Sequence, residues 1–183
     1  MEEPRDEEIA RRVQRGESSL FGELVTRYEE RLLRYAKKFL LDAEDAKDLL
    51  QDVFMKAYVN IQSFDIARKF SSWIYRIAHN EFVNAIKKRS GREIFSLFDF
   101  DTILPHPVAK ETADEGAHRK EMRAMLDRGL AVLNPKYREP LVLYYFEEMS
   151  YREIAEILEI PTSTVGVRLE RGKKKLKEAL HHD

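Results

Sequence analysis

The chain has 183 residues, room for one medium domain or two small ones. Its 32 Lys and Arg nearly cancel its 33 Asp and Glu, so net charge points to no partner and the placement of charge must be read instead. It has no Cys, which excludes disulfides and thiolate chemistry, and no apolar run long enough to span a bilayer. The acidic N-terminal stretch MEEPRDEEIARR lacks the apolar core of a signal peptide, so a cytoplasmic protein without membrane insertion is expected.

Apolar residues recur at helical spacing almost throughout, and no alternating strand pattern of useful length appears. Asp6 is placed as an N-cap ahead of Glu7 and Glu8, whose charges suit a helix N-terminus. Leu20, Leu24, Tyr28, Leu32, Tyr35, Ala36 and Phe39 mark one long amphipathic helix. A second, after an acidic turn, runs through Ala46, Leu49, Leu50, Val53, Phe54, Ala57 and Ile61. A third begins near Ser71 and carries Ile74, Ile77, Ala78, Phe82, Ala85 and Ile86 on its buried side.

Residues 68–92 hold seven Lys or Arg and one acid, interleaved with Phe70, Trp73, Tyr75, His79 and Phe82. Arg76, Asn80, Asn84 and Lys87 share one polar helical face. A basic surface carrying aromatics suits single-stranded nucleic acid, because cations follow the backbone while rings stack on bases. Trp73 and Phe82 at helical spacing are equally consistent with core positions.

The texture changes at Ser90-Gly91. Residues 93–118 contain Pro105 and Pro107, six acids and one Lys, with no sustained period, and read as an extended acidic linker. Helical periodicity returns near Arg119 and persists to Leu180. Ser150 and Glu153 form a capping-box pattern, Pro161 ends the helix that follows, and Thr162 is placed as the cap of the next. Val165, Leu169, Leu176 and Leu180 line one side of that last helix, and Gly172 lets a neighbouring backbone come close. Arg168, Arg171, Lys173, Lys174, Lys175 and Lys177 lie on the other side. Two helices joined by a tight break, the second basic, form a helix-turn-helix whose second helix enters the major groove.

Two stretches carry a family resemblance. Leu133-Asn134-Pro135-Lys136-Tyr137-Arg138-Glu139, Tyr144-Tyr145-Phe146, Ser150 to Ala155 and Glu170-Arg171-Gly172-Lys173 look like the C-terminal domain of RNA polymerase sigma factors. Asp42 to Tyr58, Ser63-Phe64 and Trp73 to Asn80 are similar to the N-terminal sigma domain. The chain thus resembles the small, extracytoplasmic-function (ECF) subfamily of the sigma-70 family. The resemblance implies core RNA polymerase (its β′ clamp coiled coil and β subunit), promoter DNA and an anti-sigma factor as partners. It places Asp45, Asp48, Leu49, Gln51 and Asp52 on polymerase. It also assigns Phe64, Trp73, Arg76, Asn80, Asn84 and Lys87 to the downstream (−10) element, with Phe64 and Asn80 holding an extruded base. The upstream (−35) duplex falls to Thr164, Arg168, Arg171, Lys173, Lys174 and Lys175. One departure is plain: where the family usually has a basic and then a small polar residue, this chain has Gly166-Val167, so upstream contacts are expected to rest on Thr164, Arg168 and Arg171.

The predicted architecture is all-α: an N-terminal helical bundle over 1–92, the acidic linker 93–118, and a C-terminal helix-turn-helix domain over 119–183, the two halves sharing no core. The alternative function is a stand-alone helix-turn-helix regulator. An enzyme is not expected: His79, His106, His118, His181 and His182 show no metal-ligand spacing, and G-x-S-x-G and phosphate-cradling Gly loops are missing. No cofactor or metal is expected.

Overall fold

The computed structural model describes residues 4–39, 43–89 and 125–181. The proposed linker 93–118 lies outside them. The order is α1 (Asp6–Gln14), a 3-10 turn, α2 (Phe21–Phe39), α3 (Ala43–Asn60), a second 3-10 turn (Ile61–Ser63) and α4 (Phe70–Arg89). The second half comprises helical residues 125–131 (α5), α6 (Pro135–Tyr145), α7 (Tyr151–Leu158) and α8 (Thr162–His181). No strand occurs among the described residues.

In the first half, α2, α3 and α4 bury Leu24, Leu32, Tyr35, Val53, Ala57, Ile74, Ala78 and Phe82, the positions their apolar periodicity selects. Helix α1 braces them through side chains. Asp6 is the first helical residue and makes no capping bond, contrary to its expected role. Its carboxylate instead accepts from Arg27 at 2.7 Å and from the Tyr28 hydroxyl at 2.5 Å, tying α1 to α2. Glu7 accepts from the Phe70 backbone N–H at 3.0 Å, placing a carboxylate at the N-terminus of α4, where free N–H groups favour negative charge. Gln14 donates from Nε2 to the carbonyls of Ile61 and Phe64, each at 2.8 Å, and so pins the turn between α3 and α4.

In the second half, Pro135 occupies the first turn of α6, and Asn134 caps it by accepting from Lys136 N–H at 3.0 Å. The Ser150–Glu153 capping box is present at the start of α7. Thr162 is the first residue of α8 and not its cap; the Pro161 carbonyl accepts from Thr164 and Val165. Gly172 does admit close approach: a Cβ there would meet Leu141 Cδ1 and the Tyr137 carbonyl, both at 3.1 Å.

The expectation of two halves without a common core is overturned. Helix α4 packs against α7 and α2 against α6, and the buried apolar residues form one cluster running from Ile9 to Leu169. Apolar spacing within each half gave no hint of this, because it shows which side of a helix is buried and not which distant helix covers it.

Candidate polymerase and nucleic-acid interfaces

On α3 the buried positions Ala46, Leu50, Val53 and Ala57 face the bundle, which turns Asp48, Gln51 and Asp52 outward. Leu49 is half-buried, and the side chain of Asp45 lies outside the described residues. The same outward stripe continues to Met55 and Val59, 63% and 71% exposed, with Tyr58 beside them. None of these three was assigned to a partner from the sequence. A stripe acidic at one end and apolar at the other can hold a partner by both charge and burial.

On α4, Arg76, Asn80 and Asn84 are exposed and Lys87 half-buried along one face, so the structure does bring these four together. Trp73 is half-buried against Phe64 and Phe70, with ring centroids 5.2 and 5.5 Å away. Phe64 is 4% exposed, and its ring is enclosed by these neighbours. In this arrangement the Phe64 ring is packed in the core, so holding an extruded base requires that it first be uncovered.

The second half covers part of the α4 face. Arg76 pairs with Glu159 at the end of α7, and Lys69 with Glu153 at 2.9 Å. Deeper in, His79 Nδ1 lies 2.6 Å from Glu139, which also accepts from the Tyr35 hydroxyl. Glu147 accepts from the Tyr75 hydroxyl and, at 3.4 Å, from Arg31. Lys38 reaches Asp127 at 2.6 Å. In each of these pairs the donor comes from the first half and the carboxylate from the second.

Burial and then the facing carboxylates push the Tyr35 and Tyr75 hydroxyls well above the ordinary tyrosine range. Burial opposes a charged His79, but the adjacent Glu139 carboxylate outweighs it and the net shift is upward. Arg138, whose Nε and Nη1 are buried with no hydrogen-bond partner, is lowered by burial to about 10.

On α8, Val165, Leu169 and Gly172 are buried, and half a turn round stand Ser163, Val167, Glu170, Arg171 and Lys174, all exposed. Of the residues assigned to the upstream duplex, Arg171, Lys173, Lys174 and Lys175 are exposed, whereas Thr164 and Arg168 are half-buried on the flank. Val167 and Glu170 were not among the residues assigned to the duplex, since neither residue type signals DNA. Among the described residues no group of acids and histidines has metal-binding placement, and no helix is long and apolar enough to cross a membrane.

The first half thus carries an outward stripe with Asp48 and Asp52, and the second ends in a helix-turn-helix. Residues 24–92 match sigma-70 region 2 and residues 123–176 match sigma-70, region 4. The chain is 33% identical to the ECF RNA polymerase sigma factor SigW of Bacillus subtilis, over 93% of this chain and 94% of SigW. It is 32% identical to the RNA polymerase sigma-H factor of Pseudomonas aeruginosa, over 96% of this chain and 93% of that protein. Two solved structures are similar: CnrH in complex with the cytosolic domain of CnrY (TM-score 0.71, 27% identity, 97% of this chain and 98% of that one) and RpoE in complex with the anti-sigma factor NepR from Bartonella quintana (0.73, 28%, 89% and 98%). The chain belongs to the extracytoplasmic-function group of the sigma-70 family and is a sigma factor, directing RNA polymerase to promoter DNA for initiation.

Proposed function

We propose a division of labour among three faces. The outward stripe of α3 (Asp48, Gln51 and Asp52, with Leu49 and the apolar Met55 and Val59) docks on the β′ clamp coiled coil. The α4 face, with Arg76, Asn80, Asn84 and Lys87 and Trp73 at its start, holds the opened −10 strand. Helix α8 enters the −35 duplex. The observation that carries this reading is the outward placement of all three polar stripes on helices whose opposite sides are core. The chain works in the cytoplasm by binding alone, without a cofactor or catalytic step of its own.

The similar proteins CnrH and RpoE are solved with CnrY and NepR, and an anti-sigma partner is proposed here as well. Such a partner gains most by covering the α3 stripe, since that removes polymerase and leaves the fold intact.

Asp48→Lys with Asp52→Lys tests the docking face. Losing desolvated charges at an interface typically costs about 2–5 kcal/mol of affinity, against far less at a rim. Core polymerase binding should fall by at least tenfold while the thermal midpoint stays put. Undiminished core binding by the double variant would refute the assignment.

A further inference from the structure

The exposed stripe of α8 has an unusual chemical order. From the N-terminal end it presents a hydroxyl (Ser163), an isopropyl group (Val167, 46% exposed) and a carboxylate (Glu170); cations begin only at Arg171 and continue with Lys174. In a helix-turn-helix the N-terminal residues of the second helix meet base edges. The one cation of this end, Arg168, is half-buried on the flank and stands outside the exposed stripe.

That restricts what it can read. Guanine offers two acceptors in the major groove, N7 and O6, and needs a donor that neither the Val167 isopropyl group nor the Glu170 carboxylate supplies. A carboxylate accepts from an exocyclic amine. Cytosine presents its N4 amine with no neighbouring acceptor on that edge, whereas adenine sets N7 beside its N6 amine and repels the carboxylate. Thymine's C5 methyl suits an isopropyl group. Gly166 belongs to the same arrangement: a Cβ there would meet only Tyr151 Cε2, at an ordinary 3.6 Å, so packing does not require the glycine. Without a side chain at 166, Val167 is the projecting group of that turn.

We propose that Val167 and Glu170 are base-reading residues of this sigma factor, Val167 covering a thymine methyl and Glu170 accepting from a cytosine N4 amine. The two sit three residues apart, roughly 5 Å along and around the helix, so the bases they read fall within about two base pairs of each other. Arg171 and Lys174, further along the stripe, lie against phosphates. The inference rests on the chain being a sigma factor with α8 in the upstream duplex.

The test uses the full chain with core polymerase on a promoter pool randomised in the upstream element, with transcripts sequenced. The parent should select a C·G pair and a T·A pair within two positions. Val167→Ser should lower the thymine preference by about fivefold at one position. Glu170→Gln should lower the cytosine preference by about tenfold at the other, and Glu170→Arg should turn that pair over to G·C. Both sites are exposed, and circular dichroism melts of the three variants should match the parent. Three outcomes overturn the proposal. If the parent programs no transcription, the sigma reading fails and this inference with it. If the parent selects promoters and the variants select the same upstream element, only this inference fails. If Glu170→Gln raises use of all templates alike, the carboxylate merely repels phosphates and reads no base.

Discussion

Tyr75 donates its hydroxyl proton to Glu147, 72 residues further along the chain, and the same carboxylate takes Arg31. Glu147 is a carboxyl group buried to 2% side-chain exposure whose partners among the described residues belong to the other half of the molecule. It is one of the carboxylates through which the two halves are joined. Glu147→Ala leaves a buried Tyr75 hydroxyl unsatisfied, at a cost of about 1–3 kcal/mol. The expected result is a larger radius of gyration in small-angle scattering, with helix content unchanged. An unaltered radius would show that the apolar part of the seam suffices.

Closure should depend on pH in both directions. His79 is raised by Glu139 above its ordinary 6.5, so its contribution is complete below that value and is lost as pH rises through the raised one. Glu153 is opposed by burial but lowered below its ordinary 4.5 by Ser150 of its own half and by Lys69 across the seam, and the Lys69 share of that stabilisation, present above 4.5, is lost from closure as pH falls through the lowered value. The chain has no Cys, so Glu30→Cys with Lys177→Cys allows a dye pair to report the distance between halves. Transfer should peak between about 4.5 and the raised His79 value. His79→Gln should flatten the alkaline limb and leave the acid limb; an unchanged alkaline limb would exclude His79 as its source.

Seam cations and the proposed −10 face overlap at Arg76, so closing and strand binding compete. The Arg76–Glu159 and Lys69–Glu153 pairs are exposed on at least one side, and such pairs are worth roughly 0.2–1 kcal/mol each. Glu153→Gln with Glu159→Gln should therefore tighten binding of a single-stranded −10 oligonucleotide by about two- to tenfold. Glu29→Gln with Glu30→Gln, the same charge change at exposed positions of α2, is the control. Equal gains in both pairs would reduce the effect to net charge.

Phe64 separates packing from recognition. Truncating a fully packed aromatic typically costs about 3–5 kcal/mol. Phe64→Ala should lower the denaturant midpoint markedly, with core binding falling in step with the folded fraction. A stable variant that binds core normally but fails to open promoters, seen by permanganate reactivity of thymines, would restore Phe64 to the base pocket.

Glu148 sits at φ 55°, in the left-handed region, at the turn between α6 and α7. A side chain there costs about 1–2 kcal/mol, and glycine returns part of that gain as unfolded-chain entropy. Glu148→Gly should stabilise the protein by about 0.5–1 kcal/mol in urea titration. Destabilisation would mean that the Glu148 side chain supplies a compensating contact.

Helices, capping box and tight turn were legible from the chain alone, because each is decided by neighbours within one or two turns. The spacing of Val165, Leu169 and Gly172 fixes which side of α8 is buried, and Asp48, Gln51 and Asp52 face outward for the same reason on α3. Periodicity could not foresee Asp6 bonding to Tyr28 in place of capping α1, Phe64 enclosed by Phe70 and Trp73, or seven donor–carboxylate contacts joining the halves. Those depend on which helices meet. A charged or phenolic side chain carries the same local signal whether water or a carboxylate from a distant helix satisfies it, so only the tertiary structure decides between the two.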